Sequence, residues 1–388
     1  MNIKEAGFQI LPVESSEINR FHHAVSSTRT LPVIDLAQGI ASSPIWSLMP
    51  ASALLVRPSP PLVAVLGNFD VESDARLEAL SFQTHFALRT LRYVNYFRAE
   101  EDCRILASLL KERFGEETLK QCHFTAIPRG GHIVLGLLAY ILDVHPSRLE
   151  FPVPRDATLI VLDDCAISGT RFQDFLKKSE NERIIFAPLY SHPDLRKSIE
   201  EREHRVVACI SAHDLTDYSD EIEGGKELYR ERWRCRYSDN RYWVGLPEYL
   251  CFAWNEPDRP FWNHVSGKSE CGWTILSPEY CLKNGPPRIP VYVQPEAKGA
   301  IRPADEVIFL MDGNSVFIGD LDSKASYHLS GAGADIWREI IESGDEEAAI
   351  KKIREKYETD EESLRENVAA FLGDLIGKGI LERPCEDL

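Results

Sequence analysis

The run Leu159–Arg171, LIVLDDCAISGTR, decides the fold. Its first four residues are apolar, the pattern of a strand buried on both faces. Asp163 and Asp164 stand where that strand ends. Small residues, Ala166 to Gly169, then bend the chain into an amphipathic helix read from GTRFQDFLKKS. Such a bend is a phosphate cradle: loop amides aim donors at an anion, and Gly169 permits close backbone approach. Two carboxylates beside a phosphate repel it unless they hold sugar hydroxyls or a metal screens their charge. The bend is not GxxxxGK[ST], which excludes a nucleoside-triphosphatase P-loop, and it is not GxGxxG.

Outward from this run the chain alternates strand and helix. Upstream, FTAIPRGG (Phe124–Gly131) reads as a strand ending in a glycine turn, and HIVLGLLAYIL (His132–Leu142) as a buried helix. Downstream, RIIFAPLY, HPDLRKSIEERE and RVVACISAHDL repeat strand, helix, strand. This alternation implies an α/β fold with a parallel sheet and right-handed crossovers, whose ligands sit beyond the C-terminal strand ends. From Asp74 to Phe114 the spacing of Phe86, Thr90, Tyr93 and Phe97, then Ile105, Leu109 and Leu110, predicts a core-facing helical pair.

The flanks differ in character. Residues 1–65 are mixed and include RPSPPL (Arg57–Leu62), which predicts irregular structure or an arm packed on another domain. Residues 216–300 hold five of the seven tryptophans and read as a β-rich lobe ending in a Pro-rich linker. After Arg302 come three short strands, VIFLM, SVFIGD and ASYHL, and then three amphipathic helices. The expected organisation is an arm at 1–65, an α/β core at 66–215, a lobe and linker at 216–300, and a separate domain at 301–388.

Composition bounds the function. With 388 residues, 44% of them hydrophobic, the chain has material for two or three domains. The net charge of −17 argues against broad binding to nucleic acid or anionic membrane. That charge is uneven: residues 301–388 carry 21 acidic against 10 basic side chains, a net of −11, which leaves −6 for the rest. No apolar stretch reaches a membrane span, and the first residues lack the layout of a secretory signal. Nine cysteines without a CxxC pair read as reduced thiols in a cytoplasmic protein.

The acid-and-glycine run resembles the signature of the type I phosphoribosyltransferases, DDVxxTGxT. Here DDCAISGTR places Cys165 at the Val position, Ser168 at the first Thr and Gly169 at the Gly, while Arg171 stands where the last Thr is usual. The resemblance implies a phosphoribosyltransferase core that binds 5-phosphoribosyl 1-pyrophosphate with Mg²⁺. Asp163 and Asp164 would hold the ribose hydroxyls. Ala166, Ile167, Ser168, Gly169, Thr170 and Arg171 would hold the 5-phosphate. The turn IPRGG matches the family's pyrophosphate loop, so Arg129, Gly130 and Gly131 take that role, with Arg129 stabilising the leaving group alongside Mg²⁺. The metal would be held mainly by the donor's pyrophosphate, with no direct protein ligand. Pyrophosphate would leave C1 of the ribose through an oxocarbenium-like state, for which positioning and charge neutralisation suffice. The family's mobile loop would correspond to HPSRLEFPVPR, with Arg148 and Arg155 as covering cations. His132, His213 and Asp214 are candidates to face the acceptor base, although a capping or core-edge histidine is the commoner role.

In the lobe, RERWRCRY alternates Arg230, Arg232, Arg234 and Arg236 with Glu231, Trp233, Cys235 and Tyr237. As a strand this gives a cationic face, fit for an acidic peptide, phosphates or the acidic C-terminal domain, and the lobe could serve as the hood that chooses an acceptor. Cys235, Cys251, Cys271 and Cys281 are spaced too irregularly to argue for zinc.

Residues 306–382 resemble PqqD-like domains, the peptide-recognition elements of ribosomal natural-product pathways. The carriers are Leu329–Ser330, Ile336–Trp337, Tyr357–Asp360, Asn367–Val368 and Leu375–Gly379–Leu381, with Asn367 in place of the usual acid. The resemblance implies a winged-helix-like α+β domain that captures a precursor (leader) peptide by strand addition. Tyr327, His328 and Leu329 would form the edge, with Phe371 and Leu375 nearby. Winged helices also bind DNA, but the local charge of −11 disfavours phosphate. The combined expectation is a phosphoribosyltransferase-like enzyme that recruits a precursor peptide. Its rivals are a nucleobase-salvage or regulatory phosphoribosyltransferase and an inactive peptide-binding scaffold.

Overall fold

A computed structural model describes residues 8–11, 32–49, 52–67, 69–149, 152–222, 224–236, 241–257, 259–358 and 360–383. The chain divides into two compact units: residues 1–89 with 258–388, and residues 90–257. The divisions between these units fall at 89/90 and 257/258. Within the first unit Val291–Val293 runs parallel to Ala53–Arg57, and within the second Leu250–Phe252 runs parallel to Arg92–Val94, so the expected lobe is shared between the two.

The described residues of the N-terminal segment form regular elements. They supply β1 (Phe8–Leu11), α1 (Pro32–Ala41), β2 (Ala53–Arg57), β3 (Leu62–Leu66) and α2 (Val71–Thr90). The Pro-rich run is the hairpin turn between β2 and β3, whose register pairs Arg57 with Leu62.

The unit of residues 90–257 holds the parallel sheet. In chain order it has β4 (Arg92–Val94), α3 (Tyr96–Phe114), β5 (His123–Ala126), α4 (Gly130–Ile141), β6 (Thr158–Ala166), α5 (Thr170–Leu176) and β7 (Arg183–Ser191). Then come α6 (Pro193–Arg202), β8 (Val206–Cys209), β9 (His213–Asp214), α7 (Gly225–Arg236) and β10 (Leu250–Phe252). The sheet order is β5-β6-β7-β8, all parallel, and β9 pairs the end of β7. Register places Cys165 beside Tyr190 and Tyr190 beside His213, so three strands end in one layer. Helices cover both faces, which is why β6 and β7 are apolar almost throughout.

Three sequence expectations change here. The helical pair is interrupted by β4, and Asn95 caps a new helix by accepting from the Arg98 amide at 2.9 Å. This turns Phe97 to solvent, 82% exposed. The helix α4 buries one face only, through Gly130, Gly131, Val134 and Leu138. The arginine-rich run is a helix, not a strand. Its Lys, Glu, Leu and Arg content favours helix, and Tyr229 meets Trp233 at helical spacing, with ring centroids 5.9 Å apart. A cationic strand face thus does not form. The side chains of Arg234, Cys235 and Arg236 lie outside the described residues.

The rest of the first unit adds β11 (Val291–Val293), β12 (Val307–Asp312), β13 (Ser315–Asp320), β14 (Ser326–Ser330), α8 (Ala332–Ser343), α9 (Glu346–Lys356) and α10 (Glu361–Gly377). Strands β12, β13 and β14 form an antiparallel sheet in that order. One face packs Val307, Phe309, Val316, Ile318 and Leu329 on the helices around the fully buried Trp337. The other face sets Ile308 and Leu310 against Leu55, Leu62 and Ala64 of the N-terminal hairpin. Among the described residues no helix is long and apolar enough to cross a membrane.

Candidate functional site

At the end of β6 the two predicted acids are buried, Asp163 at 1% and Asp164 at 3% exposure. They are held by the backbone first. Asp163 Oδ1 accepts from the Asp164 amide at 3.0 Å, and Asp164 Oδ1 from the Cys165 amide at 2.8 Å. Arg171, on the first turn of α5, reaches back over them. Its Nη2 lies 3.3 Å from an oxygen of each acid and donates to the Cys165 carbonyl at 2.8 Å. The remaining Asp164 oxygen, Oδ2, accepts from the Trp254 indole N–H at 2.9 Å.

Trp254 is placed by the parallel β4–β10 pair. The strand β10 ends at Phe252, and the next turn is tied back by Ala253 N–H to the Val94 carbonyl at 3.0 Å. Phe252 stacks on Trp254 and meets Tyr190 edge-on. Burial, reinforced by the adjacent Asp164 and opposed by Arg171, raises the Asp163 carboxyl well above the usual aspartate range. Burial pulls the Arg171 guanidinium down, but the two acids outweigh it and raise it.

The predicted loops lie against this pair. Gly130 and Gly131 open α4 beneath it, and the preceding Pro128–Arg129 peptide is cis. A Cβ at Gly130 would stand 1.6 Å from Asp164 Oδ2 and 2.8 Å from the Trp254 indole nitrogen, so only glycine fits. Arg129 and His132 are exposed. In the bend, Gly169 is left-handed at φ 74°, and the Ser168 and Thr170 hydroxyls pair with each other at 2.9 Å. The Tyr242 ring packs on Gly169, and its amide donates to the Ser168 carbonyl at 3.2 Å. Ala166 is buried and Ile167 half-buried.

The covering cations and acceptor candidates have other partners. Arg148 donates to His123 at 3.1 Å, Arg155 pairs with Glu182 at 3.0 Å, and Asp214 with Arg196 at 2.6 Å. His213 Nε2 stands 2.7 Å from Asp102 Oδ1. Asp102 is fully buried and also engages the Tyr190 hydroxyl and Arg98. Sequence reasoning missed Asp102, Tyr190, Tyr242 and Trp254. Its one usable signal was Arg171, a cation where a hydroxyl was expected.

The donor set does not fit a divalent cation at the acids while Arg171 is seated, because its guanidinium nitrogen already stands 3.3 Å from an oxygen of each acid and Trp254 donates to the outer oxygen of Asp164. Among the described residues no group of three or more His, Cys, Asp or Glu is placed to hold a metal. Cys251 and Cys281 are buried and Cys271 is exposed.

On the C-terminal sheet, β14 is an edge strand. Tyr327 and His328 are half-buried on it, and His328 stacks on Phe317 with centroids 4.7 Å apart. Leu329, Phe371 and Leu375 belong to the core rather than to an open surface. The opposite edge, on β12, is capped. The Phe309 amide donates to Gln294 Oε1 at 2.9 Å, and Arg57 Nη1 donates to the Val307 carbonyl at 2.8 Å.

No curated protein matches the chain. Solved structures are similar to parts of it, among them the following three. TbiB1 in complex with the TbiA(beta) leader peptide is 24% identical over 21% of this chain and 94% of that one, with a TM-score of 0.20. A hypothetical protein from Neisseria gonorrhoeae with bound ppGpp is 18% identical over 26% and 71%, at 0.22. The xanthine-guanine-hypoxanthine phosphoribosyltransferase of Helicobacter pylori is 15% identical over 31% and 87%, at 0.22. The family described as coenzyme PQQ synthesis protein D (PqqD) matches residues 315–381, and that span, from β13 through α10, is a PqqD domain.

Proposed function

We propose that this protein captures a ribosomally made precursor peptide through its PqqD domain, the peptide adding as a strand to β14. The supporting observation is the PqqD match over a sheet in which, among the described residues, no strand pairs the outer edge of β14. Backbone groups of that edge supply the affinity of strand addition, and the half-buried Tyr327 and His328 offer side-chain contact. Hydrogen exchange of the full chain with a synthetic leader peptide tests it. Amides of residues 326–330 gain protection on binding while those of 307–312 do not. Equal protection at both edges, or none, discards the reading.

A second reading keeps the phosphoribosyl chemistry. The acid pair at the end of a parallel strand, followed by a left-handed glycine, favours a core descended from or acting as a phosphoribosyltransferase. In that reaction an acceptor atom bonds to C1 of the ribose as the bond from C1 to pyrophosphate breaks, and the acceptor's proton leaves to solvent or base. Mg²⁺ would ride on the donor's pyrophosphate, since the acids do not fit it. Pyrophosphate release from 5-phosphoribosyl 1-pyrophosphate, with and without Asp163→Asn plus Asp164→Asn, decides: equal release in both rejects catalysis at this pair.

A further inference from the structure

The Asp163–Asp164 pair is buried at a strand end in the unit of residues 90–257, and three of its oxygens are answered from within that unit. One answer is cationic and the other neutral. Arg171 sets one guanidinium nitrogen 3.3 Å from both acids, between them. Trp254 gives its indole N–H to the outer oxygen of Asp164. These are the two kinds of partner that a carboxylate pair at a ligand site ordinarily draws from outside, a positive charge and a polar hydrogen.

We propose that Arg171 and Trp254 are built-in ligands of the acid pair, Arg171 standing in for a divalent cation and Trp254 for a ligand hydroxyl, so that the pair takes neither while both are seated. The inference deepens the second reading above and makes that site a closed one, requiring both side chains to withdraw before a sugar phosphate binds. Arg171 is suited to withdraw. It stands on the first turn of α5 and its side chain is 49% exposed, whereas both acids are sealed. Trp254 is the firmer of the two, buried and packed on Phe252 and Tyr96, so Arg171 is the side chain whose removal opens the pair. Two acids so close are mutually repulsive, and one cation between them relieves this only while it stays there. Removing the guanidinium therefore leaves a site that either loses stability or recruits another cation.

The test uses the metal alone, so it stands apart from any phosphoribosyl activity. Mn²⁺ binding to the full chain is counted by electron paramagnetic resonance, and Tm is followed with and without Mg²⁺. The wild type is expected to bind no Mn²⁺ that Asp164→Asn removes, and its Tm is expected to ignore Mg²⁺. Arg171→Thr is expected to gain one such ion and to regain about 5 °C of Tm with Mg²⁺, both gains vanishing in Arg171→Thr plus Asp164→Asn. If Arg171→Thr does not fold alone, folding it in the presence of Mn²⁺ serves as the same test. Arg171→Lys keeps the charge and should stay indifferent to metal. Wild-type Mn²⁺ binding abolished by Asp164→Asn, or an Arg171→Thr variant that metal neither occupies nor stabilises, overturns the proposal. Absence of pyrophosphate release would reject only the catalytic reading and leave this result standing.

Discussion

At the C-terminal end of β6 polar groups are consumed inside the fold. Two acids, a guanidinium, an indole N–H and two backbone amides answer one another with little left for a ligand. At the outer edge of β14 the reverse holds: the strand's own ladder uses one side, and among the described residues no strand takes the other. Both places lie at the limits of sheets, where binding sites concentrate in such folds. The difference teaches that position alone does not make a site available. Unanswered polar groups do, and by that measure the PqqD domain is the open region and the acid pair the shut one.

The sharpest way to break this comparison is Asp164→Asn. Both Asp164 oxygens accept, Oδ1 from the Cys165 amide and Arg171, Oδ2 from Trp254. An amide group must turn its NH₂ toward one of those donors. The expected loss is about 3 kcal/mol, read as a lower urea midpoint with an unchanged slope. A midpoint equal to the wild type would mean the pair is not closed in this way.

Asp163→Asn should act in the opposite direction, and with pH. Burial beside Asp164 raises the Asp163 carboxyl, so the folded state holds its proton to higher pH than the unfolded chain does. The stability this group contributes is complete below the ordinary aspartate range and is lost as pH rises through the raised value. Asparagine has no proton to lose. The variant and the wild type should be equally stable in acid, and the variant should be the more stable at pH values above the raised carboxyl, read as a urea midpoint difference that opens with pH. A difference that does not change with pH would show that Asp163 keeps its ordinary ionisation.

Much of this was legible in the sequence because local patterns suffice for it. The apolar run before Asp163, the glycine bend after it and the strand–helix alternation around it all carry their own periodicity, and the structure follows them. The IW pair and the late helical stripe likewise mark the PqqD core. What failed depends on partners far away in the chain. Trp254 meets Asp164 across 90 positions, and Val291–Val293 joins β2 across more than 200, and no window of sequence registers either. The arginine-rich run failed for a different reason: charges at alternate positions read as a strand, but Arg and Glu, which dominate it, are better helix formers, and propensity won.

A smaller effect concerns the second edge of the C-terminal sheet. Gln294 and Arg57 fill the place a strand would take along β12, one accepting from the Phe309 amide and the other donating to the Val307 carbonyl. Both side chains are buried, so their hydrogen bonds are shielded from water. Gln294→Ala should cost about 1 kcal/mol and speed exchange of the Phe309 amide, while the β14 amides keep their rates. If the Phe309 amide stays protected, another group closes that edge and the asymmetry between β12 and β14 has a different cause.

The smallest expected change in stability, and the most pointed for function, is Tyr327→Ala. Tyr327 lies on the edge strand, half-buried and packed against the rim of the core to which its strand neighbour Leu329 belongs in full. Truncating a side chain that touches only the rim of the core and is half in water should lower folding stability by no more than about 1 kcal/mol. If a peptide strand lies along β14, the same truncation removes a contact from the bound state alone, and affinity for a leader peptide should fall about three- to tenfold, equivalent to roughly 0.7–1.4 kcal/mol. Calorimetric titration of the full chain reads the affinity, and urea denaturation reads the stability. A loss of stability well beyond that bound would make Tyr327 a core residue and move the peptide elsewhere, while unchanged affinity would leave the edge of β14 open but unused.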